Sequence, residues 1–112
     1  MTSLNERLIN IGISFGAACG ACYHYEKPAG TRAPYAVWAE EGEPGGLSGN
    51  NKKGEQAIGG TLDFYTLTEF DPLVDALQTV LESQFGGSWV LESVQYEDET
   101  KLIHYGWAWE AH

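Results

Sequence analysis

Positive charge is what this sequence lacks most. Among 112 residues there are 6 Lys+Arg against 16 Asp+Glu, a formal net charge of -10. The deficit is uneven, since Lys101 is the only Lys or Arg beyond residue 56. Gripping phosphate takes clustered Lys and Arg, because much of the affinity comes from counterion release. Specific nucleic-acid binding is therefore not expected. Long apolar runs are also missing: nothing approaches the roughly 20 residues that span a bilayer as a helix, so no membrane partner is expected. The opening MTSLNERLINIG has neither a basic n-region nor a small-residue cleavage site. It predicts no signal peptide and a reducing cytosol, where two cysteines stay thiols.

What is present fits one globular domain over 1–112, with 43% hydrophobic residues and enough chain to bury one modest core. SLNE (3–6) has the form of a capping box, and Leu4, Leu8, Ile11 and Phe15 then follow one helix face. Glycines at 12, 16 and 20 weaken that helix and predict its end near Gly16, with a first strand over 18–25. PYAVWAEE (34–41) and IGGTLDFYTLT (58–68) read as strands on either side of a glycine-rich loop, 42–55. In the second of these, Ile58, Leu62 and Phe64 share one side and Thr61, Asp63 and Tyr65 the other. DPLVDALQTVLESQFGG (71–87) has Asp71 as cap, Pro72 at the first helical position and a glycine pair as stop. SWVLESVQY (88–96) and KLIHYGWAWE (101–110) form a last hairpin, with Ile103, Tyr105, Trp107 and Trp109 on one face. The expected fold is α+β, in the order α-β-β-β-α-β-β, a mostly antiparallel sheet with both helices on one face.

The residues that attract a chemical reading each have a plainer one. Cys19 and Cys22 stand in CGACYH, but zinc needs a second ligand pair, and His24, His104 and His112 have no paired spacing. A redox pair sits after a strand and before a helix, the reverse of the order here. On a strand, residues three apart also point to opposite faces, so packing is the preferred role and no metal or cofactor is expected. His104 lies mid-strand with no Ser, Cys or Asp at a motif spacing to act as its nucleophile or orienter, and no catalytic residue is assigned. The run Glu97, Asp98, Glu99 reads as a solvated turn, and GNNKKG (49–54) as a loop tip.

Taken with CYHYEK (22–27), PYAVW (34–38), GLSGNN (46–51), GTLDFYTLTEFDPLVDALQTVLE (60–82) and KLIHYGWAWE (101–110), this order of elements resembles the small tail-terminator, or tail-completion, proteins of long-tailed bacteriophages and prophages. The resemblance implies a virion protein, assembled in the bacterial host cytoplasm, without enzymatic residues. Its implied partners are further copies of itself in a ring, a hexamer among the candidate sizes, and the tail-tube and head-connector proteins. Leu47, Asn50, Asn51, Lys52, Lys53 and Trp109 are the expected interface residues. Asp63, Glu92, Glu97, Asp98 and Glu99 are expected to line a DNA channel that repels phosphate. Two other readings stand beside this one: an acidic binding or inhibitor module, and a small enzyme using His104 or the cysteines.

Overall fold

A computed structural model of the chain describes residues 3–45 and 56–112. The elements are α1 (Leu4–Ala18), β1 (Cys22–His24), β2 (Tyr35–Gly42), β3 (Ile58–Thr66), α2 (Pro72–Phe85), β4 (Trp89–Tyr96) and β5 (Ile103–Ala111). The fold is α+β in the expected order. Its five strands form one sheet in the spatial order β1-β2-β3-β5-β4. Only β1 and β2 run parallel; the other neighbours are antiparallel. The expected interface residues Leu47, Asn50, Asn51, Lys52 and Lys53 fall outside the described residues.

The helix starts are set locally. Ser3 Oγ accepts from the Glu6 amide at 3.1 Å, and the Asp71 carboxylate accepts from the Leu73 amide at 2.9 Å with Pro72 beginning α2. The end of α1 differs from expectation. The helix continues through Gly16 to Ala18 and is capped by Cys19, and β1 is confined to three residues. The reason lies in tertiary packing: Ile11, Phe15 and Cys19 are all buried, which offsets the roughly 1 kcal/mol that each interior glycine costs. Cys19 therefore lies at a helix terminus, and the opposite-face argument about the two cysteines does not apply.

The core is aromatic and lies between the sheet and both helices. Phe15 is fully buried, with its ring 5.9 Å from Trp38, 6.3 Å from Phe85 and 6.4 Å from Trp109. Trp109 stacks on Phe85 at 4.8 Å and is 1% exposed. Its expected role at a subunit interface is thereby corrected: burial against α1 and α2 places it inside the subunit. Trp107 is equally buried, and its indole N–H donates to Gln78 Oε1 at 3.1 Å. Leu62, Phe64, Leu77 and Leu81 complete the centre.

Two glycines make this packing possible. A Cβ on Gly12 would stand 2.9 Å from Trp38 Cζ2, so α1 can lie on β2 only because position 12 has no side chain. At Gly60 a Cβ would stand 2.2 Å from Trp109 Cζ2 and 2.5 Å from the Ala39 carbonyl oxygen, which cannot rotate away. Gly16 has nothing within 4 Å of that position. Gly60→Ala should therefore lower stability by about 3 kcal/mol, whereas Gly16→Ala should raise it by up to about 1 kcal/mol. Urea denaturation midpoints test both, and a tolerated Gly60→Ala would contradict this packing.

Candidate interaction surface

The side of the sheet away from the helices carries an ordered row of rings. Tyr35 of β2 pairs directly with Tyr65 of β3, which pairs with His104 of β5. Their rings stack at 4.8 and 4.2 Å, and the Lys27 ammonium lies 5.5 Å from the Tyr35 ring centre. Beside this row, His104 Nε2 is 2.7 Å from Asp63 Oδ1. At Gly106 the sheet has a notch flanked by Ser93 Oγ and Asp63 Oδ1, 3.0 and 3.4 Å from where a Cβ would stand. Burial, and after it the neighbouring negative charges of Asp63 and Glu97, push the Tyr65 phenol up; burial and Glu97 do the same to Tyr35. Both phenols stay neutral at physiological pH. With Nε2 engaged by Asp63 and the ring held by Tyr65, His104 serves to lock neighbouring strands together. No hydroxyl or thiol is hydrogen-bonded to it among the described residues.

A second cluster joins the end of β1 to β2. His24 lies between the rings of Trp38, at 4.0 Å, and Tyr25, at 3.8 Å, with Nε2 2.6 Å from Glu40 Oε1. The Tyr25 hydroxyl donates to the other oxygen of Glu40. Burial alone would raise the Glu40 carboxyl, but the hydrogen bonds from Tyr25 and His24 outweigh it and hold the group below its ordinary range. Tyr25 adopts a left-handed backbone, φ 73, directly after β1, and its amide donates to the Trp38 carbonyl of β2 at 2.8 Å.

The opposite edge is unlike this one. Among the described residues β4 pairs only with β5, and Val90, Leu91, Val94 and Tyr96 are 55, 42, 53 and 58% exposed. A register shift between Leu91 and Ser93 marks a bulge at Glu92. Beyond Tyr96 the turn carries Glu97, Asp98 and Glu99, all exposed. Trp89 opens the strand, its indole N–H donating to Glu82 Oε1 at 3.1 Å. Between α2 and β4 runs an open groove of about 540 Å³ lined by Asp75, Gln78, Thr79, Glu82, Ser83 and Trp89.

No family model matches the chain. No curated protein matches it either. Of the expected channel residues, Glu92 and the turn 97–99 lie along the β4 edge. Asp63 is separate from them, mid-sheet on the open face and bonded to His104. The clasp of Asp63 and His104 is one that sequence reasoning missed. Its signal was the alternation that put each residue on the outward side of its strand, together with the direct pairing of β3 and β5, which no local pattern specifies.

The cysteines have the properties of packing residues. Cys19 is buried and Cys22 half-buried. Burial, and after it the proximity of Cys19, push the Cys22 thiol up to about 12. Burial likewise raises Cys19, although its contact with the Ala21 carbonyl works the other way. Alkylation of native Cys22 by iodoacetamide at pH 8 should be at least about a hundredfold slower than that of the same thiol in urea, since the thiolate is the reacting form. The unfolded chain releases this proton first, so stability should fall as pH rises above 9.0, the ordinary thiol value, toward about 12. Cys22→Ala should flatten that slope. Rapid native alkylation would contradict the burial.

Proposed function

We propose that the protein is a structural assembly subunit of the tail-terminator type, joining further copies of itself and neighbouring virion proteins at one end of a tail tube. The observation that carries this reading is the distribution of apolar surface. The core is filled, yet three patches stay uncovered among the described residues. Ile9 and Ile13, one turn apart on α1, are 60 and 65% exposed. Leu67 and Phe70, in the loop between β3 and α2, are 60 and 87% exposed. The third patch is the β4 edge.

Phe70 is the most telling of these. It holds a left-handed backbone, φ 60, a conformation unfavourable for a bulky residue. Its loop is fastened from both ends: the Thr66 hydroxyl donates to Asp71 Oδ2 at 2.6 Å, and Asp71 caps α2. A strained backbone that presents a phenyl ring to solvent gains nothing for the lone subunit and suits an anchor in a partner's pocket. A subunit within a ring needs contacts on two flanks and along the axis, and three separate patches supply that number. The acidic surface, formal net charge -10, suits passage of a phosphate backbone without capture.

Deletion of the gene in the phage or prophage that carries it should yield tails of uncontrolled length that fail to join heads. Phe70→Ser, which alters a surface side chain, should leave the subunit folded and reproduce that defect. Normal tails of uniform length in the deletion strain would refute the assignment.

A further inference from the structure

The geometry points to the β4 edge as the docking site for an extended, basic strand of a different protein, added to the sheet as a sixth strand. Edge strands expose a row of backbone donors and acceptors that template pairing, and proteins ordinarily blunt them. The β1 edge is blunted here, because it is only three residues long. β4 is eight residues long, has neither proline nor lysine, and carries four exposed apolar side chains. Among the described residues, the bulge at Glu92 is the one protective device on it.

Charge selects the occupant. Among the described residues, Glu92 lies on this edge strand, Glu82 bonds its Trp89, and Glu97, Asp98 and Glu99 follow it, with Lys101 the one cation in the strand or the turn after it. A second copy would bring the same carboxylates against them, so like charges oppose self-pairing at this edge. A cationic strand meets no such penalty. The groove beside the edge specifies it further. Alternate side chains of an added strand would face α2, over the space of about 540 Å³ bounded by Asp75 and Glu82. Lysine or arginine fits there, its methylene stem resting on Trp89 and its charge reaching Asp75 and Glu82. The intervening side chains would lie beside Val90 on the open face, where small β-branched residues fit. Backbone pairing supplies the affinity and the alternation supplies the specificity.

This inference extends the assembly reading by naming the chemistry of one neighbour. Its test requires no ring, so failure here would leave self-association untouched. The probe is a short acetylated peptide alternating lysine and valine, titrated into the full chain while amide hydrogen exchange is followed. Saturating peptide should slow exchange across residues 89–96 by at least about tenfold, and added salt should weaken binding. The same peptide with alternate amides N-methylated, or with glutamate in place of lysine, should give no protection. Val94→Lys combined with Tyr96→Lys should abolish binding with the denaturation midpoint unchanged. If that variant fails to fold, the N-methylated peptide still decides the matter. Protection at the β1 edge or no protection at all would overturn the proposal. So would a β4 edge already protected by self-pairing in the free chain, which would make a second copy the occupant.

Discussion

The indole of Trp109 occupies the space where a side chain at position 60 would be, and this fit governs how the middle of the sheet is built. Gly60 sits between Trp109 of β5 and the Ala39 carbonyl of β2, so one position constrains three adjacent strands. On its other side the same indole stacks on Phe85, which draws the end of α2 onto the sheet, and Phe15 brings α1 against both. Burial of these rings is the dominant stabilising term. The Trp109 indole N–H has no hydrogen-bond partner among the described residues, a desolvation cost of about 1–3 kcal/mol that the surrounding burial has to offset.

With the core closed in this way, the remaining apolar groups do not stabilise the subunit. Ile13, Phe70 and Tyr96 are each more than half exposed and lie on a helix, a loop and an edge strand. The two edges make the contrast clearest. One is three residues long; the other is eight residues long, apolar and fringed with carboxylates. An isolated binding module would need one such surface, whereas an assembly subunit needs several, and this favours the assembly reading over the inhibitor reading. The enzyme reading has less support, because His104 is held by Asp63 and Tyr65 and the thiols are raised by burial.

The legible parts of the fold were those specified by local rules. The Asp71–Pro72 start and Gly86 stop of α2 coincide with the structure, as do the alternations along β3 and β5. Local rules failed where distant residues decided. Three glycines argued for a short α1, and only the burial of Phe15 and Cys19 against other elements carries the helix to Ala18. The parallel pairing of β1 with β2, and the insertion of β5 between β3 and β4, are invisible to periodicity. Trp109 was expected at a subunit interface, while its register opposite Gly60 and its ring contacts with Phe15 and Phe85 place it inside. The candidate surface was legible in its charge but not in its geometry. The turn 97–99 and Glu92 were recognisable as exposed acids, yet their alignment along one free edge depends on β4 lying outermost.

The central claim is that the helix patch of Ile9 and Ile13 and the loop patch of Leu67 and Phe70 exist to be covered by copies of the same chain. The mass of the native particle, followed by static light scattering over a wide range of protein and salt concentrations, tests it directly. The account predicts a discrete multiple of 12.3 kDa that grows with protein concentration. Added salt should favour it, because subunits of net charge -10 repel one another until screened. A constant 12.3 kDa at every protein and salt concentration would contradict it.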